Sequence, residues 1–94
     1  LFSWDQAKNR SNQKKHGVSF EAATLVFDDP FHLSRLERVI EGEERWQTIG
    51  NAGGIVLILV VHTWQEDVGG EQQIRIISAR RATKEERELY EEGA

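Results

Sequence analysis

The side chains best suited to chemistry in this sequence are arginines placed at or near the ends of strand-like segments. Arg80 and Arg81 close the segment Arg75-Ile76-Ile77-Ser78-Ala79, and Arg45 lies in Glu44-Arg45-Trp46-Gln47-Thr48-Ile49. A guanidinium is planar and permanently charged, and its two-pronged edges match phosphate oxygens. One chemistry needing such groups is RNA cleavage by the neighbouring 2′-hydroxyl, which requires a base, an acid and fixed positive charge for the developing phosphorane. Arg80 is the foremost candidate, at the junction where the strand is expected to give way to a loop. Functional groups gather at such loop edges on a rigid scaffold. The competing reading is a surface arginine paired with a neighbouring Glu. For Arg45 the alternative is a cross-strand ion pair with a residue such as Glu37. Glu44 is a candidate base, although strand alternation puts it on the side of Trp46, away from Arg45. His62 titrates in the range useful for acid–base work, or else is a hydrogen-bonded core histidine. Lys15 and His16 either compensate a helix dipole or touch phosphate. Tyr90 either packs a helix or reaches RNA. Trp46 and Trp64 read as packing residues, or as stacking platforms for bases if exposed.

Parity along the last strand matters for these assignments. If the strand stays regular, Arg75 shares a face with Ile77, Ala79 and Arg81. Arg80 then falls on the face of Ile74 and Ile76. A break in regularity near the strand end would exchange Arg80 and Arg81.

Other chemistries are excluded or disfavoured. Neither G-x-G-x-x-G nor G-x-x-x-x-G-K-[ST] occurs, so no nucleotide fingerprint is present and no cofactor is expected. The glycine-rich segment Gly50-Asn51-Ala52-Gly53-Gly54 reads as a loop. His16, His32 and His62 are scattered, cysteine is absent, and no metal site is expected. The lack of cysteine fits a reducing cytosol, and a cytoplasmic location is expected. The longest apolar run, Ile55 to Val61, falls far short of the roughly 20 residues of a membrane helix. Leu1 to Arg10 has no signal-peptide core. A net charge of −4 argues mildly against general nucleic-acid binding, yet a local basic face can bind phosphate on an acidic chain.

The 94 residues suit one domain spanning 1–94. A helix is expected from Asp5 to Lys15, with Gly17 as its C-terminal cap. A second runs from Phe20 to Phe27, capped by Ser19, with Phe20, Ala23, Thr24 and Phe27 as its buried stripe. Strands are expected at Leu33 to Ile40, Glu44 to Ile49, Ile55 to Trp64 and Gln72 to Ala79. Thr83 and Glu86 form a T-x-x-E capping box for a final helix through Glu92, whose acidic face reads as solvated. The class is α+β: two N-terminal helices, an antiparallel sheet of about four strands in meander order, and one C-terminal helix.

Several stretches resemble the BrnT family. They are Trp4-Asp5-x-x-Lys8-x-x-x-Asn12-x-x-Lys15-His16-Gly17-Val18-Ser19-Phe20, Glu21-Ala22-Ala23-x-x-Val26-Phe27-Asp28-Asp29-Pro30, Glu44-Arg45-x-x-x-Ile49-Gly50, and Arg75-Ile76-Ile77-Ser78-Ala79-Arg80-Arg81-Ala82-Thr83 followed by Glu86-Arg87 and Tyr90. The resemblance spans nearly the whole chain. It implies a RelE-like fold and a ribonuclease toxin of a type II toxin–antitoxin pair that blocks translation. It also implies a BrnA-like antitoxin with a DNA-binding domain, through which alone operator DNA would be contacted. The family's short strand before Trp4 is expected to be truncated here, which leaves the strand number open. With the resemblance, Arg80, Arg45, His62 and Glu44 become the catalytic candidates. Lys15, His16, Arg75, Arg81 and Tyr90 become the RNA-binding ones. The expected enzyme is a metal-independent endoribonuclease. The rival reading is a non-enzymatic interaction module that binds a DNA-binding partner and tunes its repression.

Overall fold

A computed structural model describes residues 1–54 and 56–93. The element order is β1 (Phe2–Ser3), α1 (Gln6–His16), α2 (Phe20–Thr24) with a 3-10 turn over Leu25–Asp28, β2 (Leu33–Ile40), β3 (Glu43–Asn51), β4 (Leu57–His62), β5 (Gln65–Glu66), β6 (Gln72–Arg81) and α3 (Lys84–Gly93). The class is α+β, as expected, but the sheet differs from the anticipated antiparallel meander of four strands. It runs β1-β6-β4-β3-β2, with β5 paired to β6. β1 lies parallel to β6, with Phe2 opposite Ile74 and Ser3 opposite Arg75, so the sheet is mixed. The strand before Trp4 is therefore present, as a two-residue edge.

Local chemistry explains the helix ends. The Asp5 side chain accepts the Lys8 N–H and caps α1, and Gly17 closes it at φ 70°, in the left-handed region that glycine adopts without strain. Ser19 accepts the Ala22 N–H at 3.0 Å and starts α2. At α3, Thr83 Oγ1 accepts the Glu86 N–H at 3.2 Å while Glu86 Oε1 accepts the Thr83 N–H at 2.9 Å. Both halves of the capping box thus form.

The helices α1 and α2 cover one face of the sheet. Val18, Phe20, Ala23 and Val26 pack there against Ile58, Val60, Ile74, Ile76 and Ala79. α1 has few apolar residues, and its buried side chains are Asn9 and Asn12. The Asn12 amide donates to the carbonyls of Val18 and Ala79 at 2.8 and 2.7 Å and accepts the Ala79 N–H at 3.2 Å. It therefore satisfies β6 much as a neighbouring strand would. Asn9 accepts the Phe20 N–H and donates to Glu21.

Three strand boundaries depart from the sequence reading. β3 continues through Gly50 and Asn51, which were expected in a loop. A Cβ at Gly50 would lie 2.8 Å from Val26 Cγ1 and 3.0 Å from the Val26 carbonyl, so the glycine permits the 3-10 turn to sit on the strand. β4 ends at His62 rather than Trp64, and Ile55, the expected start of that strand, lies outside the described residues. β6 extends through Arg81, so Arg80 and Arg81 belong to the strand rather than to the following loop. No helix among the described residues is long and apolar enough to cross a membrane.

Candidate active site

The register decides which arginines share a face. Along β4 and β6, Ile58 pairs with Arg81, Leu59 with Arg80, Val60 with Ala79 and Val61 with Ser78. The next pair is His62 with Ile76. β6 thus carries one extra residue, Ile77, against β4. Such a bulge moves later side chains to the opposite face from that expected by alternation. Ile76 and Ala79 both end up on the helix-covered face, together with Arg81. Arg75 and Arg80 share the other face, reversing the assignment that a regular strand gives.

The same face continues across the sheet. Leu59 pairs with Ile49 and Val61 with Gln47. Gln47 pairs with Arg35, Ile49 with Leu33, and Arg45 with Arg38 across a second irregularity between Leu36 and Arg38. The face turned away from α1 and α2 therefore carries Arg35, Arg38, Arg45, Arg75 and Arg80 around Gln47. Glu43, Glu37 and Glu86 hold four of these arginines, and Gln47 holds Arg35. Glu43 Oε1 accepts from Arg75 Nη2 at 2.8 Å and from Arg45 Nε at 3.3 Å. Glu37 accepts from Arg38 Nε at 2.7 Å and from the Gln47 amide at 2.9 Å. Gln47 in turn accepts from Arg35 Nε at 3.0 Å. Arg45 is half-buried and pairs with Glu43, not with Glu37.

Arg80 is held by α3. Its Nη1 and Nη2 donate to the two oxygens of Glu86 at 2.8 and 2.9 Å, and its side chain remains 37% exposed. The paired carboxylate keeps the guanidinium firmly charged. In return the guanidinium, aided by the Thr83 N–H, holds the Glu86 carboxyl down at about 2. Beyond Arg80 this face becomes apolar. A groove of about 450 Å³ runs between the sheet and α3, lined by Leu33, Ile49, Leu59 and Leu89, with Arg35 and Gln47 at its polar side.

The other sequence candidates lie elsewhere. His62 is 0% exposed on the helix-covered face. Its Nδ1 donates to the Thr63 carbonyl at 3.0 Å, and its Nε2 accepts from Thr48 Oγ1 at 2.6 Å. Thr48 Oγ1 accepts from Ser34 Oγ at 2.7 Å. Phe27 meets the imidazole edge-on at 4.9 Å between ring centres. Burial pushes its pKa below the usual value, and the neutral ring fits every bond it makes. It does not face the arginines. Glu44 is exposed on the Trp46 side of β3, so the carboxylate among the arginines is its neighbour Glu43. Lys15 and His16 form the last turn of α1, in the helix layer. Arg81 points into a cleft on that side with Gln13, Gly17 and Ser19. Tyr90 donates to Asp29 Oδ2 at 2.6 Å, which raises its phenol to about 12 and docks α3 on the turn before β2. Trp46 meets Trp64 edge-on at 5.8 Å between ring centres. The face thus unites Arg45, Arg75 and Arg80 from the sequence candidates. It adds Arg35 and Arg38, which only the register reveals, and Glu43, which shares the parity of Arg45 in β3. Among the described residues no group of three or more His, Cys, Asp or Glu side chains is arranged to hold a metal ion.

Comparison with known proteins bears on what such a face does. Residues 4–86 match the family described as "Ribonuclease toxin, BrnT, of type II toxin-antitoxin system". The structure resembles the 1.1 Å crystal structure of the Brucella abortus ribonuclease toxin BrnT, with a TM-score of 0.59 and 25% identity. The match covers 88% of this chain and 96% of that one. A comparison with curated protein sequences finds no match.

Proposed function

The chain belongs to the BrnT family of type II toxin–antitoxin ribonuclease toxins, and we propose that it cleaves RNA on the arginine-bearing face of its sheet and thereby inhibits translation. The observation carrying this reading is the placement of Arg45, Arg75 and Arg80 on one face of the sheet, where the bulge at Ile77 turns Arg75 to the same side as Arg80. In-line attack by a 2′-hydroxyl concentrates negative charge on the phosphorane, and fixed guanidinium groups stabilise that charge without reorganising. Arg80, beside the groove, holds the scissile phosphate. Arg45 and Arg75 receive the flanking backbone. Glu43, bound to both, fixes these two guanidinium groups on the face. Positive charge comes from the protein, so the reaction is metal-independent.

Residues 1–94 act as a single RelE-like domain in the cytoplasm. A BrnA-like antitoxin binds the toxin, neutralises it, and supplies the DNA-binding domain that contacts the operator. The test uses purified protein and a defined RNA, with and without EDTA, and looks for a 2′,3′-cyclic phosphate at the cut. Cleavage unaffected by EDTA is expected. Cleavage abolished by EDTA and restored by a divalent cation would overturn the mechanism. A folded protein that binds the antitoxin but cuts no RNA would favour the interaction-module reading.

A further inference from the structure

A guanidinium offers two pronged edges, and in Arg80 only one is taken. The end-on edge, Nη1 and Nη2, faces the Glu86 carboxylate. The second proton of Nη1 is directed at the Arg81 carbonyl, 3.2 Å away. Nε and the Nη2 proton beside it have no hydrogen-bond partner among the described residues. These two donors are parallel, and their spacing fits two oxygens of one phosphate.

We infer that Glu86 is a positioning residue: it pins the end-on edge of Arg80 so that the Nε–Nη2 edge is presented to the RNA phosphate. The inference rests on the assignment of Arg80 to the phosphate made above. Glu86 can serve because it is itself fixed. Its side chain is only 14% exposed, and one of its carboxylate oxygens also accepts the Thr83 N–H at the start of α3. A free arginine on an open sheet face would sample many rotamers, and ordering it would fall on the reaction step. An arginine already clamped between a helix start and a strand carbonyl spends that entropy in folding. The chain thus couples a helix cap to an active-site side chain through one carboxylate.

The opposite role for this contact is competition, in which Glu86 occupies the place of the phosphate and must leave before RNA binds. The two roles predict opposite signs. Glu86→Gln keeps the shape of the side chain and one acceptor oxygen, but can no longer accept from both prongs of Arg80. If Glu86 positions Arg80, kcat on a defined RNA falls roughly 10- to 100-fold, the loss expected for a misplaced catalytic group, with a much smaller change in KM. Asp5→Ala is the control. It removes the side chain that caps α1, in the helix layer on the opposite face of the sheet, and should lower the unfolding midpoint while sparing kcat. An unchanged or raised kcat in Glu86→Gln, with Arg80→Ala inactive, would overturn the positioning role and leave the site assignment standing. Full cleavage by a folded Arg80→Ala variant would overturn both. If Glu86→Gln fails to fold, Glu86→Asp carries the same test. Its shorter carboxylate preserves charge but shifts the guanidinium, so kcat should fall there too, and an unaltered kcat would refute the inference.

Discussion

Replacing Asn12 with alanine should destabilise this protein more than its polar character suggests. Asn12 is 7% exposed, and its amide makes three bonds: two to the carbonyls of Val18 and Ala79, and one from the Ala79 N–H. Truncation leaves a backbone N–H and two carbonyls short of a partner in a region that water reaches poorly. At about 1 kcal/mol net for each neutral bond the loss is about 3 kcal/mol, with desolvation of the orphaned N–H acting in the same direction. For a domain of this size that corresponds to a fall of roughly 12–24 °C in Tm. Urea unfolding followed by circular dichroism measures it, with an unchanged m-value expected if the folded state keeps its compactness. Asn12→Asp sharpens the test. It retains the acceptor for Ala79 N–H but turns both donor contacts into oxygen against oxygen. It should be at least as destabilising at neutral pH and partly relieved on protonation in acid. A loss below about 1 kcal/mol in Asn12→Ala would refute the idea that this amide replaces a strand partner for β6.

Other outcomes follow from the same geometry. His62 is built in neutral and its pKa is lowered chiefly by burial. Its contribution is therefore present above the ordinary histidine range and lost as the pH falls. Thermal melts from pH 8 to pH 5 should show declining Tm, and His62→Gln should flatten that limb; an equally steep limb in the variant would assign it to other groups. Tyr90→Phe removes the bond to Asp29 and should cost about 1 kcal/mol, since the contact is partly exposed. With the phenol raised to about 12, that contribution in the unmodified protein is present below pH 10 and lost as the pH climbs through 12. A Tyr90→Phe variant with unchanged stability would mean that α3 docks without this bond. Thr83→Ala should lower the urea midpoint by about 1 kcal/mol of stability, and an unshifted midpoint would argue against the capping box.

The sequence was most legible where a single residue carries a local rule. Asp5, Ser19, Gly17 and the Thr83–Glu86 box mark helix ends through backbone hydrogen bonding that depends little on tertiary context. The arginine face was less legible, because face assignment depends on strict alternation. One extra residue at Ile77 exchanges Arg80 with Arg81, and nothing in Arg75-Ile76-Ile77-Ser78-Ala79 announces it. The bulge depends on which β4 residue lies opposite. Glu43 and Glu44 illustrate the same sensitivity. Starting β3 at Glu44 hid a carboxylate whose parity with Arg45 was already readable. The docking of α1 escaped a reading based on apolar periodicity, since Asn9 and Asn12 hold it through amides. Gly50 looked like loop, yet it lies in a strand, and it is glycine because Val26 leaves no space there for a side chain.

Arg80 and Arg81 provide a paired test of whether chemistry occurs on the face turned away from α1 and α2. They are adjacent in sequence and alike in charge, but lie on opposite faces of β6. Each is replaced by alanine, folding is verified by circular dichroism, and cleavage of one defined RNA is measured beside the unmodified protein. Arg80→Ala should lose about 100- to 1000-fold in rate, the usual consequence of removing one donor aimed at transition-state charge. Arg81→Ala should stay within a few-fold of the unmodified protein. Full cleavage by Arg80→Ala together with a collapse in Arg81→Ala would place the chemistry on the helix side and contradict the account.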